Sequence, residues 1–404
     1  MLKSIPPEQA RELLLSLPPR LPDIETLPLI DARGRVLAED IVADIAIPPF
    51  DRSPFDGYAF RSADTASASE TNPVTLTITE EIPAGSAPTI GIVSGYAAKI
   101  LTGAPMPNGT DSTVKYEQTT FTATTVTFTS PVAPNSDVVY AGSDIAVGDI
   151  AAKRGDVITP ALLGMFASLG RAAVSVYKRP RAAVINTGSE LVEPPNPLTF
   201  GKIYNSNVFT LVAALQNLGF DAYNAGVVLD NPDLISQRIA ENLPLCDVLI
   251  TTGGASVGDY DFAVQSAEKL GAEILFWKTT IKPGGAMLAS HVDGKLILAL
   301  AGNPGSALMG LIHIARPFLR RAMGQTTLWE DPIDVYLRAR TKSAERTRLI
   351  RGYLEFSEGR AWFAERGEQG GGALSSFAEC DLLAAIPPNI PPIEAGTLIK
   401  AYRI

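Results

Sequence analysis

The run Thr251-Thr252-Gly253-Gly254-Ala255-Ser256-Val257-Gly258-Asp259-Tyr260-Asp261 follows directly on Asp247-Val248-Leu249-Ile250, and its residue types are those of an anion cradle. A short apolar strand that ends in glycines and hydroxyls offers backbone N–H groups to a phosphate or another oxyanion. Asp261 is placed either to bind a metal or to open the next helix. Three other polar clusters follow apolar runs in the same way. Asn186-Thr187-Gly188-Ser189-Glu190 follows Ala182 to Ile185, Asp230-Asn231-Pro232 follows Val227-Val228-Leu229, and Ala301-Gly302-Asn303-Pro304-Gly305-Ser306 follows Leu296 to Leu300. Each alone is ordinary turn and cap chemistry. Together they define a crevice, because ligands of doubly wound sheets bind beyond the carboxyl ends of the strands.

Glu190, Asp230 and Asp261 converge on that edge. Carboxylates suit Mg²⁺, which takes one or two of them together with substrate phosphates. Acidic residues at helix starts are also favoured by the helix dipole alone. Lys278 and Lys282, in the run Phe276 to Gly285, would neutralise charge at a phosphoryl centre or stand as solvated surface lysines. A second cluster lies earlier in the chain: Pro48 to Ala59 carries Asp56 beside Gly57, and Lys99 to Pro105 carries Thr102. By themselves these read as turns of a β module.

The elements that must position these residues follow from periodicity. A helix is expected from Glu8 to Leu17, stopped by Pro18-Pro19, with strand-like pieces such as Val36-Leu37-Ala38 after it. Val74 to Thr79 and Phe121 to Thr129 alternate apolar residues with threonine, the period of half-buried antiparallel strands. Thr159-Pro160 caps and opens a helix that Gly170 ends. From about 180 to 325 strands and helices alternate: Ala182 to Ile185, Ala225 to Val228, Val248 to Ile250 and Leu296 to Leu300 are strands. Between and after them run helices from Asn205/Ser206 to Gly219, from Asn231-Pro232, from Asp261 to Gly271 and from Asn303-Pro304. Such alternation predicts an α/β domain whose mostly parallel sheet is covered on both faces. Residues 330–404, with short strands and Pro/Gly turns, predict a small β barrel or sandwich.

Composition sets the bounds. A chain of 404 residues, 46% of them apolar, is globular and of a length for about two to four domains. Its formal net charge of −9 argues against a nucleic-acid surface and leaves local anion pockets open. Cys246 and Cys380 have neither metal nor redox spacing and read as small buried apolar groups. His291 and His313 are too few for a histidine-built metal site. The first residues lack a signal-peptide core, and no apolar run reaches the roughly 20 residues of a membrane helix. A soluble, cytoplasmic protein without membrane or nucleic-acid partners is expected.

Taken in order, Ser53-Pro54-Phe55-Asp56-Gly57-Tyr58-Ala59, Leu101-Thr102-Gly103-Ala104-Pro105, Thr187-Gly188-Ser189-Glu190, Gly253-Gly254-Ala255-Ser256-Val257-Gly258, Ile281-Lys282-Pro283-Gly284 and Gly302-Asn303-Pro304 resemble the molybdopterin molybdenumtransferase family, which includes the C-terminal domain of gephyrin. The resemblance runs from Pro6 to Ile404. It implies a multidomain α/β fold: an elongated linking domain (1–50 with 140–178), an inserted β module (51–139), a three-layer αβα molybdopterin-binding domain (179–325) and a C-terminal β barrel (326–404). It also implies a homodimer with the active site between subunits, and molybdopterin adenylyltransferase and molybdoenzyme apoproteins as partners. The implied reaction inserts molybdenum from molybdate into adenylylated molybdopterin with Mg²⁺ and releases AMP.

Carried over by position, Glu190, Asp230 and Asp261 would hold Mg²⁺ or orient the pyrophosphate. Thr187, Gly188, Gly253, Gly254, Ser256, Gly258, Pro283, Gly302, Asn303, Pro304 and Ser306 would bind the cofactor substrate. Asp56, Thr102, Asp144, Lys278 and Lys282 would be catalytic, with Asp56 and Thr102 reaching in from the partner's β module. The sequence departs from the family's pattern where an arginine is expected near Val139, a glutamate at Ser143, a lysine at Gly285 and a proline at Ala301. Two other functions stay open. One is a non-catalytic or reduced-activity paralogue that binds and carries the molybdopterin cofactor. The other is a nucleotide-dependent enzyme, against which the glycine turn lacks both a P-loop ending and a dinucleotide fingerprint.

Overall fold

The computed structural model describes residues 2–18, 20–254 and 262–404. Its largest sheet has seven strands, in the order Leu2–Ile5, Glu273–Thr279, Met287–Val292, Lys295–Leu300, Val248–Thr252, Arg181–Thr187 and Asp221–Val228. All neighbours are parallel except at Met287–Val292, which runs antiparallel to both strands beside it. Successive residues of the central strands enter opposite cores. Val248 and Ile250 join Val184, Leu296 and Leu298 on one face, while Leu249 joins Ala183, Ile185 and Ile297 on the other. With both faces buried, a strand's period of two vanishes into a continuous apolar run.

Helices Pro7–Ser16, Asn207–Leu218, Pro304–Gly310 and Arg316–Ala322 cover the first face through Leu14, Leu211, Leu215, Met309 and Leu319. Helix Pro232–Asn242 covers the second through Ile235 and Ile239, and Phe262–Lys269 adds Ala267 against Leu288 and Ala299. Local chemistry explains where they begin and end. Asn231 accepts hydrogen bonds from the N–H groups of Asp233 and Leu234 and precedes a proline in the first turn, which satisfies donors a helix start leaves free. Gly219 closes Asn207–Leu218 in the left-handed conformation, open to glycine at little cost.

Three strands of this sheet, Leu2–Ile5, Glu273–Thr279 and Met287–Val292, are not among those expected from the sequence. Met287–Val292 and Lys295–Leu300 form a hairpin around Asp293-Gly294, both at positive φ (50° and 77°), the conformation that Asp-Gly favours in tight hairpins. Residues 1–50 were expected to belong with the linking domain. Yet Leu2–Ile5 pairs with Glu273–Thr279 as the sheet's edge strand, and the following helix buries Ala10 and Leu14 in the sheet's core. A four-residue edge strand carries too little pattern to reveal its partner.

The β module is a six-stranded sheet containing Gly57–Phe60, Val74–Ile82, Tyr96–Ile100, Ser112–Lys115, Thr120–Phe121 and Thr125–Phe128. Its one parallel pair is Val74–Ile82 with Tyr96–Ile100. The linking segment joins Ile24–Pro28 to Ala173–Tyr177 and Ile41–Val42 to Ile150–Ala152, over a core of Leu37, Ile158 and Phe166. Val36 and Leu37 make isolated bridges there rather than a strand. Helix Pro160–Ser168 starts at Thr159, whose side chain accepts from Leu162 N.

At the C-terminus, Thr347–Ser357, Arg360–Glu365, Ile333–Leu337, Leu398–Arg403 and Leu382–Ile386 follow one another, and the last pairs back with the first. Closure into a barrel removes the exposed edges that an open sheet would leave. The short strand Ile281–Lys282 adds to this barrel beside Thr347 and Arg348, so the segment carrying Lys282 is fixed by the barrel and not by the large sheet. Among the described residues no helix is long and apolar enough to cross a membrane.

Candidate active site

Four strand ends meet at one level of the large sheet. Asn186 stands opposite Thr252, Thr252 opposite Leu300, and Thr187 opposite Val228. The loops that leave these strands enclose a crevice of about 430 Å³, lined by Thr187, Glu190, Asp230, Thr252, Gly253 and Gly254 from three of them and by Gly302, Asn303, Pro304 and Ser306 from the fourth. Nine of the expected binding positions are therefore among its walls: Thr187, Glu190, Asp230, Gly253, Gly254, Gly302, Asn303, Pro304 and Ser306. Gly188 lies behind Glu190, where an added Cβ would stand 2.7 Å from the Glu190 carboxylate. Ser256, Gly258 and Asp261 fall outside the described residues.

The glycines of this turn are dictated by space. Gly253 has φ of 92°, and a Cβ on it would stand 2.5 Å from both the carbonyl oxygen and the hydroxyl of Thr187. Only glycine combines that backbone with that approach. Behind the walls a polar network sets the loops: Asn186 Nδ2 donates to Thr252 Oγ1 at 2.6 Å, and Asn205 Nδ2 donates to Asn186 Oδ1 at 3.3 Å. Asn207 Nδ2 donates to Gly302 O at 2.8 Å, tying a helix start to the fourth loop. Ser189 N donates to Asp230 Oδ2 at 3.4 Å. From the sequence Asn186 stood only within a polar cluster, Asn205 only as a helix start, and Asn207 was not singled out, although amides at strand ends and helix starts next to glycine loops are a usable signal.

Two polar atoms of the lining residues, Thr187 Oγ1 and Asn207 Oδ1, are buried with no partner among the described residues. A buried polar atom left without a hydrogen bond costs about 1–3 kcal/mol, so both mark a place for a bound group or water. With the carboxylates of Glu190 and Asp230 they make a set of hard oxygen donors. That chemistry fits Mg²⁺ and not a metal that prefers sulfur or imidazole. Among the described residues no three His, Cys, Asp or Glu side chains gather into a metal cluster.

Other expected residues sit elsewhere in the chain. Asp56 and Thr102 belong to the β module, and Asp144 lies on an exposed turn whose N–H bonds Ile47 O at 3.0 Å. None of the three lines the crevice. The Asp56 carboxyl is held below its ordinary range by the Thr102 backbone N–H and hydroxyl, with Lys99 adding a smaller contribution. Lys278, at φ of 67°, lays its ammonium 3.9 Å from the centre of the Trp277 ring. Lys282 is exposed on its barrel-bound strand.

The barrel also reaches the fourth loop, through a residue that sequence reasoning missed. Arg351 is fully buried and donates from Nη2 to Glu368 O at 2.8 Å and Gly370 O at 3.2 Å. Its Nη1 has no hydrogen-bond partner among the described residues, and a Cβ on Gly305 would stand 3.1 Å from it. Ser306 N donates to Gly371 O at 2.9 Å, and an added Cβ on Gly371 would stand 3.7 Å from Pro283 Cβ. Arg351, Gly371, Pro283 and Ser306 thus form one seam between barrel and crevice. An arginine inside the buried run Leu349 to Gly352 was the available signal. Of the cysteines, Cys246 is buried, with its thiol pushed up to about 11 mainly by burial, whereas Cys380 is only partly covered.

Fold and crevice define a multidomain α/β protein with a polar crevice at the carboxyl edge of its largest sheet. Residues 5–170 match the MoeA N-terminal region (domains I and II), 183–321 a probable molybdopterin binding domain, and 334–404 the MoeA C-terminal region (domain IV). A molybdopterin molybdenumtransferase of Staphylococcus aureus (strain MSSA476) is 34% identical over 393 residues, covering 97% of this chain and 94% of its own. One from Bacillus subtilis (strain 168) is 32% identical over 95% of this chain and 90% of its own. The crystal structure of the molybdopterin biosynthesis moeA protein from Pyrococcus horikoshii OT3 superposes with a TM-score of 0.84 at 29% identity, covering 99% of this chain and 100% of that one. The chain belongs to the molybdopterin molybdenumtransferase family, enzymes of molybdenum cofactor biosynthesis, and has the MoeA-like multidomain fold.

Proposed function

We propose that the chain takes molybdenum from molybdate and inserts it into adenylylated molybdopterin, with Mg²⁺, releasing AMP. The observation that carries this reading is the crevice at the sheet's carboxyl edge, lined by two glycine turns and the residues Glu190 and Asp230, with Thr187 Oγ1 and Asn207 Oδ1 of its lining residues buried and unpartnered among the described residues. Glu190, Asp230 and Asp261 would hold Mg²⁺, which would supply charge withdrawal from the phosphoanhydride. The chain's own residues position and neutralise. The Gly254 backbone, with Ser256 and Gly258 beyond it, would receive the phosphate end of the pterin, while Gly253, whose N–H is engaged by Leu300 O at 3.1 Å, supplies room rather than a donor. Gly302 to Ser306 form the adjoining wall, with Ser306 N held by Gly371 O of the barrel. Lys278 and Lys282, which do not line the crevice, would have to reach toward it to offset oxyanion charge. No protein cysteine is needed, because the pterin's dithiolene sulfurs accept the metal.

Asp56, Thr102 and Asp144 enter this reading only from a second subunit, since within one chain they stand away from the crevice. A homodimer with the site between subunits is therefore part of the proposal, as are the four-domain division and the transfer partners. The test is incubation of the purified protein with adenylylated molybdopterin, molybdate and Mg²⁺. AMP and molybdenum-loaded cofactor are the expected products, and the absence of both sinks the catalytic reading.

One observation favours a second reading, a carrier that binds the cofactor without turning it over. Where the family pattern has a lysine, Gly285 is enclosed so closely that a Cβ would stand 2.5 Å from Ile281 O and 2.6 Å from Thr279 O. That cation has no room here. The loss at Val139 is different: its backbone pairs with exposed Arg52 at 2.9 and 3.0 Å. Directly opposite residues of an antiparallel bridge share a face, so Arg52 supplies positive charge beside that position. Tight pterin binding without AMP release would select the carrier.

A further inference from the structure

A second cavity, of about 320 Å³, lies away from the crevice, where helix Pro7–Ser16 and the helical segment 311–322 meet the C-terminal barrel. Its polar lining is mostly cationic: Arg11, Arg316 and Arg320 stand against Glu8 and Glu330. Trp329, Ile312, Leu328 and Leu383 supply apolar walls.

The charges are unequally satisfied. Glu330 serves both Arg316 and Arg320 through Oε1, while its Oε2 is buried with no partner among the described residues. Arg11 has no comparable acid. Its carboxylate, Glu8, sits 3.2 Å away with 67% of its side chain exposed, a pair worth about 0–1 kcal/mol. Its remaining contacts, to His313 O at 3.3 Å and His313 Nε2 at 3.4 Å, are long. The Arg11 guanidinium lies 5.5 Å from the Trp329 ring. His313 brings no charge, because burial and the neighbouring Arg11 and Arg316 hold its pKa down to about 3.

We propose that this cavity is a binding site for a small organic carboxylate with an apolar body and an adjacent hydroxyl or ammonium donor. The carboxylate binds the under-paired guanidinium of Arg11, which can receive it in a two-pronged contact. The donor satisfies Glu330 Oε2, and the body lies against Trp329 and Leu383. An arginine alone would take any anion; Glu330 Oε2, in the same lining, adds a preference for carboxylates that also carry a hydroxyl or ammonium donor. The site lies apart from the crevice, and its ligand would bridge two units of the fold. Leu383, on the cavity wall, pairs with Arg351 of the seam that holds the fourth crevice loop.

Calorimetric titration of the full-length protein with mandelate tests this. Saturable binding is expected, at least about tenfold weaker in Arg11→Gln, weaker for phenylacetate, which lacks the hydroxyl, and undetectable for neutral benzyl alcohol. Glu190→Gln, in the other crevice, should bind mandelate as the parent does. If Arg11→Gln proves unfolded by circular dichroism, Trp329→Ala takes its place, since Trp329 is 52% exposed, and it too should lose affinity. No saturation by about 10 mM mandelate, equal binding by the folded variant, equal binding of benzyl alcohol, or loss of binding in Glu190→Gln would each overturn the proposal. Because none of these readouts involves turnover, they stand or fall separately from the transferase reading.

Discussion

Thr102 gives Asp56 two hydrogen bonds of 2.7 Å, one from its backbone N–H and one from its hydroxyl, both to Oδ1. The carboxylate is thereby fixed in orientation and kept ionised on an exposed surface of the β module. Its folded pKa is lowered below 3.8. Any stabilising contribution is complete above the unfolded value and disappears as the pH falls through the lower folded one. Thr102→Val removes the hydroxyl donor and keeps the N–H. Carboxyl NMR titration should show Asp56 moving up toward its ordinary value, with the melting temperature nearly unchanged. An unmoved Asp56 titration would show that the hydroxyl contributes nothing.

Glu190 and Asp230 share the crevice with the unpartnered hydroxyl of Thr187. If they hold Mg²⁺, Glu190→Gln and Asp230→Asn should each raise the half-saturating Mg²⁺ concentration by at least the roughly 10–100-fold seen on losing even outer-shell partners. Both replacements preserve size, so circular dichroism should be unchanged. Parent-like Mg²⁺ dependence in both variants would dispose of the metal assignment.

The crevice was legible because its loops follow strands buried on both faces, whose apolar runs stand out, and because Gly, Asn and Asp mark where each run stops. Gly253 was readable as special, although the reason, Thr187 pressing on its α-carbon, is a contact across two strands. Arg351 was not readable as a neighbour of the crevice. It reaches Gly305 from a barrel strand, and no local pattern reports which loop a closed barrel will touch. The same holds for Leu2–Ile5, whose partner lies more than 250 residues along the chain. Asp56 and Thr102 were found as motif residues, and their mutual bond shows why those types occur together. What they face lies outside a single subunit's crevice.

Gly285 is enclosed by its own turn. A Cβ there would stand 2.5 Å from Ile281 O and 2.6 Å from Thr279 O, and the Gly285 carbonyl accepts from Thr279 N at 2.9 Å. Forcing a methyl group into such a space typically costs about 1–3 kcal/mol. Gly285→Ala should lower stability by that order in chemical denaturation. Gly285→Lys should lower it similarly and yield no gain in AMP release, because the turn must distort before the ammonium can point anywhere useful. A stable and more active lysine variant would show that the turn accommodates the side chain and that the missing charge limits the reaction.

His313 is partly buried near Arg11 and Arg316, and its pKa is held down to about 3 from an ordinary 6.5, first by desolvation and then by those two cations. Between these values the unfolded chain binds a proton that the folded one does not. The stabilising contribution is therefore complete above pH 6.5 and falls as the pH drops toward 3, by at most about 1.4 kcal/mol for each pH unit. His313→Gln has no proton to gain, so its stability should decline less steeply over that window even if it starts lower at neutral pH. Urea unfolding at closely spaced pH values, fitted for both proteins, gives the comparison. Parallel slopes would mean that His313 is not the group whose protonation weakens the junction between the helices and the barrel.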